Sequence, residues 1–254
     1  EAVVTLGSKE GLVNLAQVCN LAPRNDWPGL VSAHFTTLLR GESESASLDT
    51  LAADFDKARP LLKVRLYPGS YPVDAAVHYL PGSGIVAVLV YDLPNSVASV
   101  PVKHARGWGR PDDELFRLAL ENVRAGGPLE SHPTDIADGV VVHALLGQSF
   151  FTATHSLFLD DYVRAADAPH GAIVGIPHRH AILFHPIVDR RAVRAAQSLI
   201  PAPFGMFQEG PGSVSHEVYW WREGRFTLLP ARVTARAVEF APPPDFAALL
   251  DRLK

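Results

Sequence analysis

Gly171-Ala-Ile-Val-Gly-Ile-Pro177, then His178-Arg179-His180, then Ala181-Ile-Leu-Phe-His-Pro-Ile187, and then the arginine-rich run from Asp189 to Ile200 form the stretch on which the fold reading turns. Two short apolar runs around a polar triplet predict two antiparallel strands joined by a tight turn. The last run has helical spacing: Val193, Ala196 and Ile200 face inward, Arg190, Arg191 and Arg194 outward, and Asp189 is the expected cap. A hairpin followed by a helix is therefore the unit to look for elsewhere in the chain.

Upstream, Leu12, Leu15, Ala16 and Cys19 share one helical face, which makes Cys19 core filler. A second helix is expected from the cap Asp26 to about Arg40, with Leu30, Val31, His34, Phe35 and Leu38 inward and His34 hydrogen-bonded in the core. Gly41 to Ser47 reads as an exposed loop, and Ser47 should cap a helix carried by Leu48, Leu51 and Phe55. Asp54 and Asp56 on that helix would point about 200° apart, so they read as solvated charges rather than a metal pair.

From Leu62 the period falls to that of a strand. Leu62, Val64 and Leu66 form its dry face, and Lys63, Arg65 and Tyr67 its wet one. Ala75 to Leu80 and Ile85 to Tyr91 flank Pro81-Gly82-Ser83-Gly84 as a hairpin whose second arm, apolar on both faces, should be a central strand. Pro111 suits the first helical position, the acidic Asp112, Asp113 and Glu114 meet the positive end of the helix dipole, and Gly126-Gly127-Pro128 stops the helix. Its inner stripe is read as Leu115, Phe116, Ala119, Leu120 and Val123.

Val140 to Leu146 and Ser149 to Leu157 predict another hairpin around Gly147-Gln148, with His143 and His155 facing water, and Asp160-Asp161 should open a short helix. Pro201 to Ser213 reads as a long loop, whose Gly210 and Gly212 lack the third glycine of a dinucleotide loop. Glu217 to Trp221 and Phe226 to Leu229 flank a turn with Gly224 in a left-handed position, and Phe246, Leu249, Leu250 and Leu253 dock a terminal helix.

The expected architecture is α+β: an antiparallel sheet built from several β-hairpins, with helices packed between and after them. Residues 1–60 form an N-terminal helical segment, separate from or continuous with the hairpin and helix domain of residues 61–254. Two hairpin-then-helix units, near 75–125 and 140–200, suggest a diverged internal duplication.

Composition narrows the function. A chain of 254 residues, 47% hydrophobic and 20% charged, is an ordinary globular one with a sizeable core. The net charge of -4 offers no basic field to nucleic acid or an anionic membrane, and no apolar run approaches the ~20 residues that span a bilayer. With Cys19 as the single cysteine, neither an intrachain disulfide nor a thiolate cluster can form, which fits a reducing, cytoplasmic compartment.

Val64-Arg65-Leu66-Tyr67-Pro68, Tyr91-Asp92-Leu93-Pro94, Glu114-Leu115-Phe116 with Ala119-Leu120-Glu121-Asn122, and Ile176-Pro177-His178-Arg179 together resemble the bacterial YtpQ-like proteins, a family with a domain of unknown function. The resemblance spans roughly residues 60–200 and implies a bacterial cytoplasmic protein without implying an activity. At the turn, where those proteins tend to carry Pro-Asn-Arg-Asp, this chain has Pro177-His178-Arg179-His180.

His178, Arg179 and His180, with His185 and His170 nearby in sequence, are the candidate catalytic or metal-binding cluster. Across a hairpin turn the two imidazoles need a third ligand that no familiar spacing supplies, so no metal and no cofactor are expected. The motifs of serine hydrolases, phosphate-binding loops and zinc proteases are absent. Trp220 and Trp221 are adjacent in a strand and so point to opposite faces: one fills the core, and the other covers a helix, the Pro201–Ser213 loop or a partner. These observations predict a non-catalytic protein-binding module of the chaperone, adaptor or immunity type, with Trp220, Trp221 and Arg179 as contact residues. The alternative is a hydrolase with its site at the His178-Arg179-His180 turn.

Overall fold

The computed structural model describes residues 15, 16, 18–44, 48–137, 139–164, 166–233 and 238–253. Among the described residues, the helices α1 (Trp27–Glu44), α2 (Leu48–Ala53) and α3 (Phe55–Ala58) precede the sheet, with 3-10 turns at Arg24–Asp26 and Arg59–Leu61. Leu15, Ala16 and Cys19 are helical and Cys19 is buried, while Leu12 and the expected cap Ser47 lie outside the described residues. The helix expected to run through Asp54 breaks there, because the Asp54 carboxylate accepts the backbone N–H groups of Asp56 and Lys57 and starts α3 instead. His34 is only half-buried, and its buried Nε2 lacks the hydrogen bond expected of it.

The sheet begins with β1 (Leu62–Pro68), β2 (His78–Gly82), β3 (Ile85–Asp92) and the short β4 (Val97–Ser99). Helices α4 (Val102–Gly107) and α5 (Asp112–Arg124) follow, then β5 (Ser131–Ala137) and β6 (Val140–Leu146). A 3-10 segment, Thr152–Asp161, separates these from β7 (Ala172–His178), β8 (Ala181–Pro186), α6 (Arg191–Leu199) and α7 (Pro201–Glu209). The chain closes with β9 (Val218–Arg222), β10 (Arg225–Leu228), the small pair β11 (Ala231–Val233) and β12 (Val238–Phe240), and α8 (Pro244–Arg252).

One sheet runs in the order β1-β3-β2-β10-β9-β7-β8-β6-β5, with β4 also on β3. It is antiparallel except at one contact, Phe226 beside Gly82, where β10 meets β2. The fold is thus the expected mixed α+β type. The order β1-β3-β2 recurs as β6-β8-β7, and helices follow each unit, after the short β4 in the first.

Alternation dictates the faces. Leu62, Val64 and Leu66 are buried, β3 is buried on both faces from Ile85 to Tyr91, and β7 and β8 are buried from Ala172 to Pro177 and from Ala181 to His185. Residues of β1 and β3 share a single core with Val174, Ile176, Ile182, Phe184, Tyr219 and Trp221 from the middle of the sheet. The sheet therefore curls, and the Thr152–Asp161 segment fills the hollow between β1 and the β7–β8 end. Thr154 Oγ1 donates to the Val64 carbonyl at 2.8 Å, and Ala153 N–H to the Arg179 carbonyl at 3.0 Å. A second core on the opposite face joins Ile173, Leu183, Val218 and Trp220 to α6 and to Phe246 and Leu249 of α8.

Further segments depart from expectation, among them Gly41 to Glu44, which continues α1 in place of the expected exposed loop. Ser149–Leu157 is no strand: Thr152 to Leu159 are buried on every side in 3-10 turns kinked at Phe158, and β6 pairs instead with β5 and β8. His155 is accordingly only 5% exposed, and Asp160 and Asp161 end a helix rather than open one. Pro201–Glu209 is helical because both prolines lie in its first turn, where their missing N–H groups cost no intrahelical bond. Strand β5, polar and largely exposed, carries little hydrophobic signal and shows itself only through its pairing to β6.

Pro111 precedes α5 as its cap residue, and the buried stripe is Leu115, Phe116, Leu118, Ala119 and Val123. Leu118 joins it and Leu120 moves to the margin because α5 packs against β1, β3 and the Thr152–Asp161 segment together. Leu118→Ala should lower stability by about 2–4 kcal/mol, Glu121→Ala by less than about 0.5 kcal/mol. Urea midpoints for the two variants check the phase of this helix; equal losses would contradict it.

Candidate functional site

Arg179 and His180 form a two-residue turn closed by the His178–Ala181 pair. Hairpins of this length favour left-handed turns that need positive φ, yet among described non-glycine residues only Glu223 has one. The irregular register between Gly175 and His178, where Pro177 interrupts the ladder, bends the hairpin end and lets an ordinary right-handed turn fit.

The turn is not at a wet rim, as the sequence suggested. On its β7 side the chain from Gly212 to Ser215 runs alongside: Arg179 N–H donates to the Gly212 carbonyl at 2.9 Å, and Val214 and Ser215 donate to Pro177 and Ile176. On its β8 side Gly147 N–H donates to the His180 carbonyl at 3.1 Å. Backbone thus flanks the turn on both edges, and Ala153 covers its top. All three side chains are half-buried. Gly210 lies against the His178 imidazole and Gly212, at φ 70°, against the Arg179 stem, which is why side chains are absent at both positions.

Hydrogen bonds fix the tautomers. His180 Nδ1 lies 3.0 Å from the Gly147 carbonyl, which can only accept, so Nδ1 carries the proton and Nε2 is free to accept from Arg179 Nε at 2.9 Å. His178 Nδ1 accepts the His180 backbone N–H at 3.2 Å, so the proton of neutral His178 sits on Nε2. Both lone pairs are already engaged. Burial, the neighbouring His180 and Arg179 pull the His178 pKa down to about 4, and burial with Arg179 also lowers that of His180. Both imidazoles are neutral at pH 7.

His170 and His185 do not join this cluster. His185 sits at the far end of β8 opposite Ile173, with Nδ1 2.7 Å from the Val141 carbonyl, and His170 lies just before β7 begins. Among the described residues, no three His, Cys, Asp or Glu side chains converge as a metal site would require.

Arg65, on the outward face of β1, does join the turn. Its guanidinium carbon lies 4.6 Å from the Tyr67 ring centre and 5.7 Å from that of Phe150, and the Arg179 guanidinium carbon lies 4.5 Å from the same Phe150 ring. Tyr67 in turn stacks on Tyr71 at 3.9 Å. Neither arginine forms an ion pair with a described carboxylate, whereas Lys63, one step along the same face, is paired to Asp92 at 2.7 Å. The Arg65 Nε is buried without a hydrogen-bond partner. Burial and the charge of Arg65 draw the Arg179 pKa down to about 10, which still leaves it charged. Phe150 is 43% exposed, so the cluster opens to solvent.

The tryptophans are both inside, at 8% and 7% exposure. Trp221 faces the main core with Nε1 unpaired. Trp220 packs on Phe246 of α8, rather than under residues 201–213, and donates from Nε1 to the His170 carbonyl at 2.8 Å. Beside them a cleft of about 490 Å³ is lined by Asp160, His170, Trp220, Trp221, Arg222 and Leu249, among others. Its position beside the tryptophans separates it from the hairpin-turn cluster.

Comparison of the chain with protein-family models, with curated proteins and with solved structures finds no match. Among the described residues no helix is long and apolar enough to cross a membrane.

Two predictions follow from this geometry. A Cβ at Gly210 would overlap the half-buried His178 ring, so Gly210→Ala should cost about 1–3 kcal/mol, read as a lower urea midpoint; an unchanged midpoint would mean His178 moves freely. The second concerns pH. His155 is lowered to about 4, first by burial, and its Nδ1 lies 2.5 Å from the Tyr162 hydroxyl. Unfolded histidine titrates near 6.5, so the unfolded chain binds more protons between those values. The contribution of His155 and His178 is fully present above pH ~6.5 and is lost as pH falls through ~4. The urea midpoint should drop across that window, with a shallower drop in His155→Gln; a flat profile in the unmodified protein would contradict the burial of both rings.

Proposed function

We propose that this chain is a non-catalytic, cytoplasmic protein-binding module that receives an acidic group of its partner at the Arg65, Phe150 and Arg179 cluster. The observation that carries this reading is the pair of guanidiniums resting on one half-exposed ring with no described carboxylate between them. Charged groups removed from water are normally matched by a counter-charge, and an unmatched pair favours whatever anion arrives. The lone Cys19 suits a reducing compartment.

The hydrolase alternative asks one histidine of the turn to take a proton from water or a nucleophile. A general base needs a lone pair aimed at the reacting proton. Here His180 Nε2 accepts from Arg179, His178 Nδ1 accepts from the main chain, and no described carboxylate acts on either ring. These occupied lone pairs favour binding over hydrolysis.

A displayed peptide library selected on the intact protein, and counter-selected on Arg179→Gln, tests the reading. Acid-rich peptides that lose at least tenfold in affinity on Arg179→Gln are expected. Turnover of ester, peptide or phosphate-ester substrates at a rate abolished by His178→Ala would establish the hydrolase instead.

A further inference from the structure

We infer that the group received between Arg65 and Arg179 is a phosphoryl dianion, carried on a side chain of the partner protein. This deepens the binding reading above and rests on it for the source of the phosphoryl group, though not for the chemistry of the site.

Charge comes first. Both imidazoles of the turn are neutral at pH 7, so the cluster holds two positive charges, one on each guanidinium. A carboxylate would cancel one and leave the other unmatched in a half-buried setting. A phosphate monoester carries about -1.5 to -2 at neutral pH and matches the pair. Lys63, the remaining cation of the β1 outer face, is committed to Asp92 and does not add to the count.

Donor geometry points the same way. The Arg65 Nε has no partner although it is buried, and a guanidinium presents its N–H groups as a planar fork suited to phosphate oxygens. Arg179 already spends its Nε on His180, a bond that orients the rest of its guanidinium without neutralising it. Phe150 touches both cations and is partly open to water, so it forms a wall against which an incoming group is desolvated. The site is held from three directions: β1 carries Arg65, the β7–β8 turn carries Arg179, and the chain entering the 3-10 segment carries Phe150. Such a cradle is fixed before ligand arrives, which reduces the ordering cost of binding.

The test is titration calorimetry with inorganic phosphate at constant ionic strength, with acetate as the monoanion control. Phosphate should bind at least tenfold more tightly than acetate, and Arg65→Gln and Arg179→Gln should each weaken it about tenfold or more. Equal binding of the two anions, or phosphate affinity unchanged in variants that still melt cooperatively, would overturn the inference. Should a variant fail to fold, phenylglyoxal modification of the unaltered protein replaces it: phosphate must protect Arg65 and Arg179 but not the exposed Arg225, and equal labelling with and without phosphate would overturn the assignment.

A phosphoserine peptide compared with its serine and glutamate counterparts separates the sources. Binding of the phosphopeptide at least tenfold above both supports the partner-borne group. Phosphate binding without any peptide binding would keep the oxyanion site and overturn the protein-partner source. Arg179-dependent binding of glutamate peptides with no response to phosphate would overturn the phosphoryl inference alone.

Discussion

The hydrogen bond from the Thr154 hydroxyl to the Val64 carbonyl, together with that from Ala153 N–H to the Arg179 carbonyl, joins two places that sheet order keeps far apart. β1 is an edge strand, and the β7–β8 turn belongs to the middle of the sheet. Without the Thr152–Asp161 segment between them, β1 would present unpaired backbone to solvent and the turn would stand at an open sheet end. The segment is buried from Thr152 to Leu159, and its apolar residues Ala153, Leu157, Phe158 and Leu159 belong to the main core, as does Phe151 just before it. Its polar groups are satisfied locally: Ser156 donates to Ala153, His155 hydrogen-bonds Tyr162, and Thr154 reaches β1. A single short 3-10 segment therefore both closes the curl and brings Arg65 to Arg179.

Enclosure also changes what the turn residues can do. Imidazoles at an open turn would exchange protons with water near their reference value and would be available as acids or bases. Flanked by backbone at Gly147 and Gly212, the rings instead act as fixed acceptors, one for a main-chain N–H and one for Arg179. Burial holds them neutral, so His180 orients the arginine and His178 braces the main chain of the turn rather than titrating beside it. The resulting polarity is unusual for a half-buried cluster: cations and aromatics without a described acid. Cation–π contact with Phe150 and Tyr67 offsets part of the desolvation of the guanidiniums, at roughly 0.5–2 kcal/mol per contact, and leaves their N–H groups directed to other acceptors.

Much of the fold was legible because its periods are clean. The alternation of Lys63-Val64-Arg65-Leu66, the apolar run of β3, the acidic first turn of α5 and the Glu223-Gly224 turn each match one local rule, and the structure bears each out. The failures have physical causes. Phe151 to Leu159 mixes apolar and small polar residues in a run that is buried all round, so neither the period of 2 nor that of 3.6 describes it. The prolines of residues 201–209 read as loop although they occupy the one helical turn that tolerates them. β5 is polar because it is an exposed edge, which removes the hydrophobic signal by which strands are found.

The candidate site was half legible for a different reason. His178, Arg179 and His180 stand out as a local motif, but Arg65 and Phe150 reach them only through the curl of the sheet, and no spacing rule connects a β1 residue to a turn so far along the chain. The pattern did place Arg65 on the wet face of its strand; what it lacked was the knowledge that this wet face is roofed by Phe150 and Phe151. Gly210 and Gly212 carried a usable signal too. Neither fits a dinucleotide loop, yet both lie where a side chain would strike His178 or Arg179. A glycine pair that makes no sense as a phosphate loop is then explained by close packing against a fixed side chain. The same packing that occupies the lone pairs of the two histidines leaves the arginine beside them charged, oriented and without a described counter-ion, and that residual charge is what the proposed binding role rests on.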